Sequence, residues 1–109
     1  MARNEYGAIL DSNGYAPSIL QWDTGEECAF CKVHSVALAR HEVFQGMNRR
    51  ASKKYGLWLT VCPTCHRFIH NNPAAPDVIG LDKQAQQNAM TKYGWTTEEF
   101  IERFGKNYL

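Results

Sequence analysis

Two Cys-x-x-Cys pairs, Cys28-Ala29-Phe30-Cys31 and Cys62-Pro63-Thr64-Cys65, stand thirty residues apart (32 to 61) in a chain of 109. Paired knuckles at this separation have the ligand spacing of a tetrahedral four-cysteine zinc site, each knuckle supplying two corners. The competing reading is a pair of redox-active or merely buried thiols, although a redox motif needs only one Cys-x-x-Cys. The N-terminus has no basic segment followed by an apolar one, so the expectation is a cytoplasmic protein with reduced thiols rather than a disulfide framework. A chain this short is near the lower end of what one hydrophobic core stabilises unaided, so a metal staple is physically reasonable.

A hydrophobic fraction of 44%, with five Tyr, five Phe and three Trp, excludes a disordered chain. The longest apolar stretches, such as Gly56 to Val61, are far too short to span a bilayer, and no membrane partner is expected. A net charge of +1 gives no global field for nucleic acid, so DNA binding would have to come from a local cluster. Arg49, Arg50, Lys53 and Lys54 form one such cluster, although a run of this kind taken alone is more often a solvated loop.

The chain reads as a single α+β domain over 1–109, with an N-terminal arm (1–25), a zinc-stapled core (26–73) and a C-terminal helical extension (78–109). Ser18 to Trp22 could form a short strand. His34 to Phe44 and Leu57 to Val61 have the β-branched and apolar content of two strands, joined as a hairpin by a long functional loop over Gln45 to Gly56. Pro63 suits the first position of a helix and Asn71-Asn72-Pro73 supplies a stop, which predicts a short helix over Cys62 to His70. His66 and His70 then share one face of it, with Cys65 roughly 100° around the axis from His66, so one helix can serve two sites.

Leu81, Ala85, Ala89 and Tyr93 keep helical spacing and end at Gly94, a natural C′ residue. Thr96 with Glu99 makes a capping box, with Trp95 stapling to Phe100, for a second helix over Thr97 to Phe104. Phe100, Ile101 and Phe104 are expected in the core, with Asn107-Tyr108-Leu109 packing back.

The order is knuckle, a strand ending in Arg40-His41-Glu42-Val43-Phe44, basic loop, strand, knuckle, then His66 and His70. It resembles HNH (ββα-metal) endonucleases, in particular small phage-encoded proteins with the runs H-E/H-V/I-F-x-G, N-R, Y-G-L and L/V-C-P-x-C/H-H. The matching residues are His41, Glu42, Val43, Phe44 and Gly46; Asn48 and Arg49; Tyr55, Gly56 and Leu57; then Val61, Cys62, Pro63, Cys65 and His66. The likeness covers roughly Cys28 to Leu109, and the end Phe104-Gly105-Lys106-Asn107-Tyr108-Leu109 shares in it.

The resemblance implies a ββα-metal core with two zinc knuckles of two cysteines each and two C-terminal helices, acting as a metal-dependent endonuclease on duplex DNA in a phage-infected bacterial host. It implies a structural Zn2+ on Cys28, Cys31, Cys62 and Cys65, and a catalytic Mg2+, Mn2+, Ni2+ or Zn2+ on His66 and His70. His41 would be the general base or share that role with Glu42, a histidine titrating near neutrality being suited to it. Arg49, Arg50 and Arg67 would clamp phosphates, with Lys53 and Lys54 adding charge.

Two departures bear on these roles. Many family members have the ligand first and the base histidine second, whereas here the histidine precedes the carboxylate, so base and ligand stay open between His41 and Glu42. The family's middle Asn falls near Gly56 or Leu57, where none stands, leaving Asn48 or Ser52 to orient the base. His34, three residues after Cys31, is an alternative zinc ligand. The rival reading is a non-catalytic zinc-ribbon module that binds nucleic acid or a protein.

Overall fold

Ala39–Glu42 (β1) and Trp58–Val61 (β2) pair antiparallel, with His41 opposite Leu59 and Glu42 opposite Trp58. Among the described residues they form a two-stranded sheet in a small α+β fold with four α-helices. The structure is a computed structural model, and it describes residues 2–34 and 37–109. Every residue of β2 is buried, as its run of Trp, Leu, Thr and Val suggests. The first strand is shorter than the expected His34 to Phe44. Ser35 and Val36 lie outside the described residues, and at the other end Val43 and Phe44 bend away into the core, although the Val43 N–H still donates to Leu57 O at 3.0 Å.

The expected loop between the strands is mostly helical. A 3₁₀ turn, Gly46–Asn48, leads into α1, Arg49–Lys54. Arg, Ala and Lys are good helix formers, and Ser52 fixes the helix to the hairpin: its buried Oγ donates to Phe44 O at 2.7 Å and accepts from Phe44 N at 3.0 Å.

The N-terminal arm crosses the hairpin without forming a strand at Ser18 to Trp22. Ser18 Oγ instead accepts from the N–H groups of Leu20 and Gln21, competing with a ladder. Ala16 N donates to Lys53 O and Ile19 N to Gly56 O, both at 2.9 Å. Trp58 Nε1 donates to Ala16 O at 2.7 Å, and Gln21 Oε1 accepts from Thr60 N at 2.8 Å. Gly56 has φ +74°, and a Cβ there would collide with the carbonyl oxygen of Pro17; this close crossing requires glycine.

Helix α2 (Pro63–Asn71) starts with proline at its first turn, where the missing N–H costs nothing. Helix α3 (Pro76–Tyr93) ends at Gly94, whose φ of 70° supplies the left-handed cap. Helix α4 (Thr97–Phe104) carries the Thr96–Glu99 capping box. Its buried face holds Phe100 and Phe104, one turn apart, whereas Ile101 is 37% exposed: it lies about 100° around the axis, so it is not a core residue.

Trp95 is buried in the same cluster as Phe100, although its nearest rings are those of Tyr55 and Tyr93, at 4.8 and 4.9 Å between centroids, with Phe104 at 6.5 Å. Phe44 lies against Phe104 and Tyr108 at 4.9 and 4.6 Å, joining the end of β1 to the C-terminus. The fully buried Gln86 accepts from Tyr108 N at 2.7 Å and holds that C-terminus onto α3. A second apolar cluster, built from Leu59, Val61, Ile69 and Val78, surrounds Cys28 and Cys62. Among the described residues, no helix is long and apolar enough to cross a membrane.

Candidate metal centres

The four cysteines converge, their sulfurs all lying within 4.8 Å of one another. Cys31 Sγ and Cys62 Sγ are 3.7 Å apart, against about 3.8 Å for the edge of a tetrahedron with Zn–S bonds of about 2.3 Å. Both pairs direct backbone N–H groups at sulfur: Phe30 and Cys31 at Cys28 Sγ (3.4 and 3.5 Å), and Cys65 at Cys62 Sγ (3.5 Å). After the first pair the backbone turns sharply at Lys32, φ 65°, with Lys32 N donating to Cys28 O at 2.9 Å.

Burial opposes a thiolate at Cys28, but the N–H groups aimed at its sulfur, that of Cys31 foremost, outweigh it and bring the thiol down to about 6. Burial and the neighbouring sulfurs push Cys65 well up. The surroundings thus favour a thiolate at Cys28 and oppose one at Cys65, an imbalance that a divalent cation removes. The donor set can hold a structural metal such as zinc. His34 stands apart from it, exposed, with Nε2 3.8 Å from the Glu27 carboxylate.

A second cluster forms where β1 meets α2. His41 is 3% exposed on β1, and its ring lies edge-on to those of His66 and His70, with centroids 5.4 and 5.5 Å away. The i, i+4 pair brings His66 Nε2 and His70 Nε2 to 3.0 Å, and one ring nitrogen from each of the three histidines lies within 4.8 Å of the others. Two imidazole nitrogens bound to one ion at about 2.1 Å are separated by roughly 3.0–3.4 Å, so this pair is spaced for a shared cation. Burial first, and then His66 and His70, hold the His41 imidazole down to about 4. His66 is lowered by burial and by His70. Neutral rings are the form in which imidazole binds a metal.

Glu42 is next in sequence but projects from the other face of β1. Its buried Oε1 accepts from Tyr15 Oη at 2.7 Å and Arg49 Nε at 2.9 Å. A cavity of about 340 Å³ beside this pair is lined by Glu42, Gln45, Arg49, His66 and His70. It shares Gly46 and Arg49 with a larger, polar one of about 640 Å³ that reaches Arg50, Lys53 and the Ser12–Gly14 turn of the arm. On the far side of His41 and His70, a cavity of about 270 Å³ runs between Phe44, Tyr108 and Asp82, whose carboxyl is raised to about 6 by burial.

The sequence-predicted cations therefore divide. Arg49, Arg50 and Lys53 line the groove leading from the histidines. Lys54 turns to Glu5, 3.5 Å away, and lines a separate cavity with Met47 and Arg103. Arg67 is exposed on α2 and lines neither of the cavities that include the histidines. Neither proposed substitute for the middle Asn touches His41. Asn48 Nδ2 donates to Phe104 O at 2.9 Å, and Ser52 is bound to Phe44. The side chain that reaches the His41 ring is Gln45, with Nε2 3.3 Å from Nδ1. Sequence reasoning missed Gln45, Tyr15 and Asp82; the H-E-V-F-Q run held the first of them in plain view. No family model matches the chain, and neither the curated proteins nor the solved structures compared with it include a match.

Proposed function

We propose that this chain is a metal-dependent DNA endonuclease of the HNH (ββα-metal) class, with hairpin β1–β2 and helix α2 as the catalytic core. The observation that carries the proposal is the convergence of His41, His66 and His70 at the junction of hairpin and helix. The groove from that point past Arg49 to Arg50 and Lys53 gives a phosphate backbone a cationic path.

His66 and His70 would hold the divalent ion, which when bound neutralises charge on the phosphorane and the leaving oxygen. His41 takes the proton of the attacking water as the P–O bond breaks, and the leaving oxygen takes one from solvent. Glu42 is less suited to the base role, because its Oε1 is engaged by Tyr15 and Arg49; it anchors Arg49 at the edge of the groove. Arg49 then binds a non-bridging phosphate oxygen, and Arg50 and Lys53 hold flanking phosphates.

Supercoiled plasmid incubated with Mg2+, Mn2+ or Ni2+ tests this directly. Nicking by the wild-type protein is expected, with His41→Ala lowering the rate by about 10² to 10⁴ while the fold persists. Defects of His66→Ala and His70→Ala should be partly rescued by more Mn2+ or Ni2+, and that of His41→Ala should not. Rescue of His41→Ala by metal would move His41 to the ligand set. DNA retarded without being nicked under any of these metals would replace the enzyme with a binding module.

A further inference from the structure

Gln45 Nε2 lies 3.1 Å from the backbone carbonyl oxygen of Glu42 and 3.3 Å from His41 Nδ1. The first contact fixes which way the carboxamide points. A carbonyl oxygen only accepts hydrogen bonds, so the group facing it is the NH2 and not Oε1. The second hydrogen of that NH2 is then available to Nδ1. A neutral imidazole carries one N–H, and beside a donor the favoured tautomer has its lone pair on Nδ1 and its proton on Nε2.

We infer that Gln45 is a positioning residue for His41: it selects the tautomer in which Nδ1 is the basic nitrogen, so that His41 accepts a proton or a cation there. At 3.3 Å the Gln45 contact is at the long end for a hydrogen bond, so a water or cation arriving at Nδ1 displaces a weak partner. The carboxamide also lines both cavities that meet at His70, which puts it beside any phosphate that reaches the histidines. The catalytic half of this inference rests on the endonuclease reading; the tautomer half does not.

Long-range 1H–15N correlation spectra of the zinc-bound protein, recorded above the imidazole titration range, read the tautomer directly. In the wild type, Nδ1 of His41 is expected at the shift of an unprotonated nitrogen and Nε2 at that of a protonated one. Gln45→Glu replaces the donor by an acceptor and should reverse the assignment, and Gln45→Ala should give a mixture. Gln45 is exposed, so both variants are expected to melt like wild type. In plasmid nicking, Gln45→Glu should lower kcat by about tenfold to a hundredfold with KM nearly unchanged.

A wild-type His41 protonated on Nδ1, or variants that keep the wild-type tautomer, would overturn the inference. A reversed tautomer with unchanged kcat would overturn its catalytic half. The expected tautomers in a protein that never nicks DNA would uphold the role of Gln45 and sink the endonuclease reading instead.

Discussion

Arg49 Nε lies 2.9 Å from Glu42 Oε1, an ion pair in which the carboxylate side chain is 5% exposed and the guanidinium 62%. The acid is thus an anchor and the base its outward-facing arm, with Tyr15 Oη as the second hydrogen bond to the same oxygen. Glu42→Ala leaves the buried Tyr15 hydroxyl without this acceptor and should cost about 1–3 kcal/mol of stability. Glu42→Gln, which keeps an acceptor, should cost less in a urea melt yet still weaken DNA binding through a looser Arg49. Equal stability of wild type and Glu42→Ala would show that the pair anchors nothing.

The cysteine cluster predicts one zinc per chain. Metal analysis of the purified protein should find it, and Cys28→Ser or Cys62→Ser should lose it, because these two sulfurs are buried among Leu59, Val61 and Ile69. Chelation should remove the cooperative thermal transition. A fold and melting temperature unchanged after complete zinc removal would refute a structural role.

DNA affinity should fall steeply with salt, and Arg49→Ala and Arg50→Ala should each weaken it on unrelated sequences, reducing the salt slope by about 1. Lys54→Ala and Arg67→Ala should have smaller effects, since Lys54 is turned to Glu5 and Arg67 lies away from the groove. Binding measured by fluorescence anisotropy across a salt series separates the two groups. Equal losses from all four variants would mean that the DNA path does not follow the groove.

Stability should decline on mild acidification. The buried His41 is held down to about 4, whereas in the unfolded chain histidine titrates near ~6.5. Between those values the unfolded state binds the extra proton, so the stability that His41 permits is fully present above ~6.5, drops as pH falls, and levels off below about 4. His66, lowered in the same direction, adds to the slope. Urea melts across this window without added divalent ion should show the decline, and His41→Ala should flatten it. Asp82, raised to about 6 by burial, works in the opposite direction over the lower part of the window, so the His41 contribution is the difference between the two profiles; identical profiles for wild type and His41→Ala would mean that His41 is not buried as a neutral ring.

Much of the frame was legible because it rests on local rules. Pro63, the Thr96–Glu99 box, Gly94 and the Leu81–Ala85–Ala89 spacing mark helix ends and faces within a few residues. The cysteine spacing and the i, i+4 histidines mark both clusters in the sequence itself. What escaped notice depends on distant partners. The helix over Arg49–Lys54 is held by Ser52 reaching back to Phe44, and nothing in the Gly-flanked basic run advertises that bond. The arm lacks periodicity because its hydrogen bonds are divided between local turns, such as Ser18 with Leu20 and Gln21, and the distant residues 53–60. Ile101 is exposed against expectation, because hydrophobicity alone does not tell which side of a short helix a residue occupies.

The crossing at Gly56 also bears on the order in which the protein can be made. The arm leaves the ribosome before the hairpin, yet Ala16, Pro17 and Ile19 find their places only against Lys53, Gly56 and Trp58. Those residues emerge just ahead of Cys62 and Cys65, so during synthesis the arm must wait undocked until the hairpin that receives it is complete. Capture of the second knuckle and seating of the arm therefore fall within the same few residues of elongation, and the arm, translated before the hairpin, is fixed only after it.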